Sequence, residues 1–372
     1  MTAAESDVYS INFGPHHPAT HGVLRLSLEI SGEEVIVCNP DIGYLHRGVE
    51  KIAENKKFVS IIPYVDRLDY LAPSPQEHAY VTALERLLNI DPPMRAVFIR
   101  TIIDELTRIS SHIMGIGSAT YDLGCLSLFL YGFEEREKVM DIFEAITGAR
   151  MHLACYVPGG VLADISDDII ERVYSFLDGL GFYLNAVEKM ALNSRIFAKR
   201  TKNIGVISAK MAKRHGISGV NLRASGIPYD IRKSIPYGAY ADLEFEPIIL
   251  TGGDCYDRTK LRFLEIQQSV DLIKQCLKLM PSGATCNHLH PSLHSLTLPP
   301  HSIVYAATET PRGEFGVHLL LDKETTKPYR LHFKSPCFAH VQLLKKLLIG
   351  AQIPDITAIL GSLDFIMGCC DR

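Results

Sequence analysis

Residues 95–115, RAVFIRTIIDELTRISSHIMG, decide the fold class of this chain. Ile99, Ile102, Ile103, Leu106, Ile109 and Ile113 recur at three- and four-residue intervals, so they share one face of a helix. Arg100, Asp104, Glu105 and Arg108 fall off that stripe, as on the polar face of an amphipathic helix. The same period returns from Glu134 to Ala149, through Val139, Ile142, Phe143 and Ile146. A third helix is predicted to begin near Ser166, with Asp168 and Glu171 at capping-box spacing, and to reach Asn193 with a weak point around Gly179 and Gly181. A fourth runs from Thr259 to Met280. Four long amphipathic segments predict a helical bundle.

The flanks change period. Leu24, Leu26, Leu28 and Ile30 alternate with Arg25, Ser27 and Glu29, which reads as a half-buried strand, and the segment from Ile30 to Val35 supplies a hairpin turn. Beyond Pro281 come short strand patterns, Ser302 to Ala306 and Phe315 to Leu321, then a last helix from Phe338 to Ile349. Residues 203–247 are rich in Gly, Ser and Pro and are predicted to loop over the bundle. The expected class is therefore α+β. A β-rich domain is expected over 1–75, a helical bundle over 76–280 with the 203–247 loop inserted, and an α/β segment over 281–372.

A chain of 372 residues has room for two or three domains and a sizeable core. With 38 basic against 42 acidic residues, the net charge of −4 offers no field that would recruit nucleic acid. The nine cysteines are odd in number and contain no C-x-x-C pair, which excludes the common zinc, dithiol and iron–sulfur arrangements and favours a reducing compartment. The first residues lack the marks of a secretion signal or transit peptide. The longest apolar run, Leu123 to Phe133, has eleven residues where a membrane span needs about 20. The expectation is a soluble chain, or one peripheral to a membrane through partners.

Generic catalytic signatures are missing. There is no G-x-S-x-G elbow, phosphate loop or G-x-G-x-x-G, so nothing supports NAD or ATP binding on this chain. His17 and His21 have i,i+4 spacing, but Pro15 and Pro18 remove the helix that would turn it into a metal site. His288, His290 and His294 surround Pro291 and read as turn histidines. Tyr70 sits in a run alternating charge and apolar side chains, and Asp122 precedes the apolar run as a helix cap or as a buried charge needing a partner. Local pattern leaves Arg47 and His152 undecided.

Longer strings go further. GPHHPATHGVLRL, GYLHRGVEK, DRLDYLAP, FEEREKVMDIFEAITGARMH, SGVNLRASGIPYDIRKSIPY, GDCYDRTKLRFLEIQQS and RGEFGVHLL resemble, in one order from Gly14 to Arg372, the 49-kDa, hydrogenase-like subunit family of respiratory complex I. The resemblance implies a fold like the large subunit of nickel–iron hydrogenases, whose metal sits between two C-x-x-C pairs. Near Arg67 to Tyr70 this chain has no cysteine, and near its end DFIMGCCDR offers Cys369 alone in register, so no nickel–iron centre is expected. The vacated cavity is implied to be a quinone head-group site. His21 and Tyr70 would hydrogen-bond the quinone carbonyls, and Asp122 would pair with His21. Arg47, Arg67 and His152 would face the terminal iron–sulfur cluster of a neighbouring small subunit.

The resemblance also implies partners: that small iron–sulfur subunit, a 30-kDa subunit, a two-cluster ferredoxin-like subunit and a membrane subunit forming the quinone channel. The implied activity is that of proton-translocating NADH:quinone oxidoreductase, absent from the chain alone. The implied place is the matrix side of the mitochondrial inner membrane, or the cytoplasmic side of a bacterial plasma membrane. GCCDR where the family has GEVDR, and SATYD where it has THALD, alter the pocket's surroundings. A scaffold that has lost its chemistry and a free-standing hydrogenase are the competing readings. His21, Tyr70 and Asp122 together oppose the first, and the missing cysteines oppose the second.

Overall fold

The computed structural model describes residues 8–17, 22–287, 299–322 and 326–372. His21 and the cluster of His288, His290 and His294 lie outside the described residues. The 95–115 stretch falls within one helix, Met94–Asp122, of 29 residues and about 44 Å. Helices Leu126–Thr147, Cys255–Leu279 and Ile353–Leu363 pack against it. Its apolar stripe is buried, as the spacing predicts.

Arg100, Asp104, Glu105 and Arg108 are buried too, which corrects the reading of a polar face. Each meets a partner from elsewhere in the chain or from the adjacent turn. Arg100 pairs with Glu85 at 2.7 Å, Asp104 with His78 at 2.6 Å and Glu105 with Arg232 at 3.1 Å. Arg108 lies 3.2 Å from Glu105 and donates to the Glu309 carbonyl at 2.7 Å. Charges survive in an interior only when paired and hydrogen-bonded, so these partners hold the helix in one register. Periodicity registers the stripe but not partners lying far away along the chain.

Residues 203–247 carry the short helices Ala209–Arg214, Gly219–Arg223 and Ile231–Ser234. They send Arg223 and Arg232 inward, where Arg223 meets Glu265 and Glu309, each at 2.7 Å, and Arg232 meets Asp230 at 2.7 Å. The second predicted helix starts earlier than Glu134, because the apolar run from Leu126 onward is its first two turns. The third breaks at its glycines into Asp167–Gly179 and Gly181–Val187.

Two three-stranded antiparallel sheets flank the helices. Val8–Phe13, Arg25–Ser31 and Glu34–Asp41 form the first, with Leu24, Leu26 and Leu28 turned inward. Ile303–Thr310, Gly313–Leu320 and Arg330–Lys334 form the second. Pro311 and Arg312 are the two-residue turn of the second sheet's first hairpin, and Arg312 is fully buried. That hairpin tip meets Gly219 backbone to backbone. Gly219 has φ +68°, and a methyl group there would lie 2.4 Å from the Gly313 Cα. Gly219→Ala should therefore destabilise the protein by about 2 kcal/mol or more, through overpacking and backbone strain together. Calorimetry giving an unchanged denaturation temperature would refute this. No described helix is long and apolar enough to cross a membrane.

Candidate functional site

The loop from Asp66 to Ala72, between helices Phe58–Val65 and Pro73–Leu88, organises the site. Its side chains differ in fate: Asp66, Leu68 and Asp69 are buried, Arg67 is exposed and Tyr70 is half-buried. Asp69 closes the loop on itself. Its Oδ1 accepts the backbone amides of Leu71 at 3.2 Å and Ala72 at 3.1 Å, and its own amide donates to Gln76 Oε1 at 3.2 Å. Its Oδ2 lies 3.1 Å from Arg312 at the hairpin tip. Arg312 also donates to Ser111 Oγ at 2.7 Å and reaches Asp364 at 3.4 Å, while Arg262 lies 3.5 Å from Asp364. The Tyr70 loop is thereby tied at once to the long helix, the second sheet and the C-terminal segment.

Burial, and then the negative charge of Asp69, hold the Tyr70 phenol above its usual range, with Arg312 pulling the other way. Tyr70 is therefore a protonated donor at neutral pH. Two thiols occupy the same region. Cys369 Sγ lies 3.0 Å from Ser335 Oγ and 3.9 Å from Gln76 Nε2, and Cys337 Sγ accepts the Ile366 amide at 3.3 Å. Two thiols, a hydroxyl and an amide do not make the four-thiolate donor set of a nickel–iron centre. Among the described residues, no group of three or more His, Cys, Asp or Glu side chains is placed to hold a metal ion.

The loop's other face gathers Arg47, Arg67 and His152. Asp371, near the chain's end, accepts the amides of Gly43 at 2.9 Å and Leu45 at 2.8 Å, which sets the loop carrying Arg47. Arg47 then donates to the Arg67 carbonyl at 2.7 Å, and Arg67 to the Pro63 carbonyl at 2.7 Å. His152 adopts a left-handed φ of +58° and brings Nδ1 to 3.9 Å from Asp66. Burial, then the nearby Arg67 and Arg47, lower the His152 pKa.

Asp122 is the last residue of the long helix, not the N-cap of the next, and is half-buried. His21 lies outside the described residues, so its pairing with Asp122 is not among the described contacts. Gly22 is packed on Met367, and the following Gly368 abuts the Leu68 carbonyl, so the chain at Gly22 adjoins the Tyr70 loop.

Asp66, Asp69, Arg312 and Asp364 are the residues that sequence reasoning missed. Asp66 and Asp69 stand in the quoted DRLDY string, but nothing local marks their burial. Asp66 is the more exceptional. Burial pushes its carboxyl up to about 7 from 3.8, with Arg67, 3.8 Å away, opposing. The folded state therefore holds a proton that the unfolded chain releases between these two values, so this group lowers stability as pH rises through that window. Asp66→Asn should remove that component, leaving the variant relatively more stable near neutral pH than in acid. Calorimetry of the purified protein against pH checks this, and parallel wild-type and variant curves would refute it.

Comparison with known proteins agrees with this architecture. Residues 122–372 match the family described as respiratory-chain NADH dehydrogenase, 49 Kd subunit. The chain is 43% identical to an NADH-quinone oxidoreductase subunit of Paramagnetospirillum magneticum over the full length of both. It is 42% identical to the same subunit of Ehrlichia chaffeensis, covering 98% of each chain. It is also 42% identical to the NADH-ubiquinone oxidoreductase 49 kDa subunit of Pylaiella littoralis, covering 98% of this chain and 96% of that one. With similarity over the whole length of the chain, it belongs to the 49-kDa subunit family of respiratory-chain NADH dehydrogenase, complex I.

Proposed function

We propose that the chain forms the quinone head-group site of NADH:quinone oxidoreductase, with Tyr70 and His21 as donors to the two quinone oxygens and Asp122 as the partner of His21. The observation that carries this reading is the Tyr70 loop. It presents a protonated phenol on a segment fixed by the Asp69 and Arg312 clamp. Reducing a quinone to a quinol takes two electrons and two protons, and the oxygens become basic as charge develops. A phenol and an imidazolium then act as general acids within hydrogen-bond reach. A carboxylate beside His21 raises the imidazole's pKa and keeps it charged before transfer.

The electrons come from an iron–sulfur cluster held by a neighbouring small subunit, on the face carrying Arg47, Arg67 and His152. The cationic arginines favour added negative charge across that face. The other partners are the 30-kDa, ferredoxin-like and membrane quinone-channel subunits. Through them the chain is held at a membrane, the mitochondrial inner membrane on its matrix side or a bacterial plasma membrane on its cytoplasmic side.

Purification from the native source tests this reading. The chain should co-migrate with NADH:quinone reductase activity and contain no nickel. Stoichiometric nickel, or migration apart from that activity, would overturn it.

A further inference from the structure

Positive charge is unevenly spread along this chain. Residues 195–214, RIFAKRTKNIGVISAKMAKR, hold seven Lys and Arg and no acid, so the other 352 residues carry a net charge of −11. Folding gathers the run onto two short helices. Arg195 and Lys199 are four residues apart on helix Arg195–Thr201, with Lys202 at its end. Lys210, Lys213 and Arg214 follow at three- and four-residue spacing on helix Ala209–Arg214, so each helix carries its cations along one face. Ser194 and Ser208 cap the two helices with their side-chain oxygens. The chain between them is fixed to a single turn. The Asn203 amide donates to Asp254 Oδ2 at 2.8 Å, the Ile207 amide to the Gly253 carbonyl at 2.9 Å, and the Cys255 amide to the Ile204 carbonyl at 3.0 Å.

All seven cations except the half-buried Arg200 are exposed, and Ile196 beside them is 72% exposed and Val206 45%. Surface cations elsewhere find acids nearby, as Lys51 does with Glu54, Lys138 with Glu135 and Lys274 with Asp178. Among the described residues none of these seven forms an ion pair. Arg200 donates to the Pro354 carbonyl at 2.8 Å, and Lys202 stands 4.6 Å over the Tyr256 ring. The bordering Asp254 and Asp257 turn their oxygens to the backbone amides of Asn203, Asp257 and Gly252. Like charges held together on a fixed frame repel one another, and an acidic partner relieves that repulsion.

We propose that this basic face docks an acidic segment of a neighbouring polypeptide in the assembled complex. Asp and Glu side chains of that segment meet the cations of the two helices, and an apolar side chain covers Ile196 and Val206. Other anionic surfaces fit less well. Helices of seven and six residues lack the long apolar face that seats in a bilayer. Phe197, the one aromatic residue of the run, is buried and offers no platform for a nucleic-acid base. The inference rests on membership of a multisubunit complex and not on the quinone reading.

The test starts from the native complex, treated with a carbodiimide that joins a lysine amine directly to a carboxylate in contact with it. Mass spectrometry should find Lys199, Lys202, Lys210 or Lys213 joined to Asp or Glu of one other subunit. The same lysines should be acetylated at least several-fold more slowly in the native complex than after denaturation. Combining Lys210→Glu, Lys213→Glu and Arg214→Glu should lower, roughly twofold or more, the salt concentration at which that subunit dissociates. If this variant does not assemble, the triple change of the same residues to Gln decides by the same measure. Free acetylation of all four lysines in the native complex would overturn the proposal. So would protection without a cross-link to another subunit, which is the result expected of a lipid cover, or unchanged salt tolerance in the variant. None of these outcomes touches Tyr70, whose test is the rate of quinone reduction per assembled complex.

Discussion

Tyr70→Phe should lower quinone reduction by roughly 10²-fold in fully assembled complex, if proton transfer limits turnover. The substitution deletes one oxygen and keeps the ring, so the packing of the Asp66–Ala72 loop survives. The loop is held through Asp69, whose bonds to Leu71, Ala72, Gln76 and Arg312 do not involve the phenol. Electron entry from NADH to an artificial acceptor should stay normal, because that acceptor is reduced before electrons reach this site. The phenol's raised pKa gives the effect its expected pH behaviour. Tyr70 keeps its proton across the neutral range, so the defect should be nearly constant there. Undiminished quinone reduction in assembled Tyr70→Phe complex would remove Tyr70 from the proposed donor pair.

Arg312→Leu should have the largest effect on stability, about 3–5 kcal/mol, because removing one partner of a buried ion pair leaves charge without compensation. Asp69 and Asp364 would both lose the guanidinium between them, and only Arg262, 3.5 Å from Asp364, would remain. The Ser111 hydroxyl would lose its donor as well. Lysine presents a single ammonium and cannot span two carboxylates in fork geometry, so Arg312→Lys should recover only part of the loss. Assembled complex should be scarce or melt early, and what assembles should reduce quinone poorly because the Tyr70 loop is no longer held. Thermal denaturation followed beside activity measures both, and a wild-type melting temperature for Arg312→Leu would refute the clamp.

The elements of regular period are legible from the chain alone. The 95–115 stripe, the alternation from Leu24 to Ile30 and the breaks at Gly179 and Gly181 are local signals, and each stands where its spacing predicts. Family membership is equally legible, because long strings in one order carry far more information than any short motif. The DRLDY string marks Tyr70 as a candidate, and its lack of cysteine together with GCCDR is the ground for expecting no four-thiolate metal site. Arg100, Asp104, Glu105 and Arg108 read as a polar face, and that reading fails for a physical reason. A charge on a helix looks the same in sequence whether water or a guanidinium faces it.

Composition and periodicity determine which segments are helices, which are strands and which faces are apolar, since these depend on neighbours within a few residues. Tertiary structure alone decides which acids are buried and what compensates them. Asp69 meets Arg312 across 243 positions of chain, whereas Asp66, three residues earlier in the same loop, has its exposed neighbour Arg67 only at 3.8 Å, and burial dominates its carboxyl. Side chains identical in type thereby acquire different chemistry, because desolvation and pairing are set by distance in space, and sequence separation carries almost none of that distance.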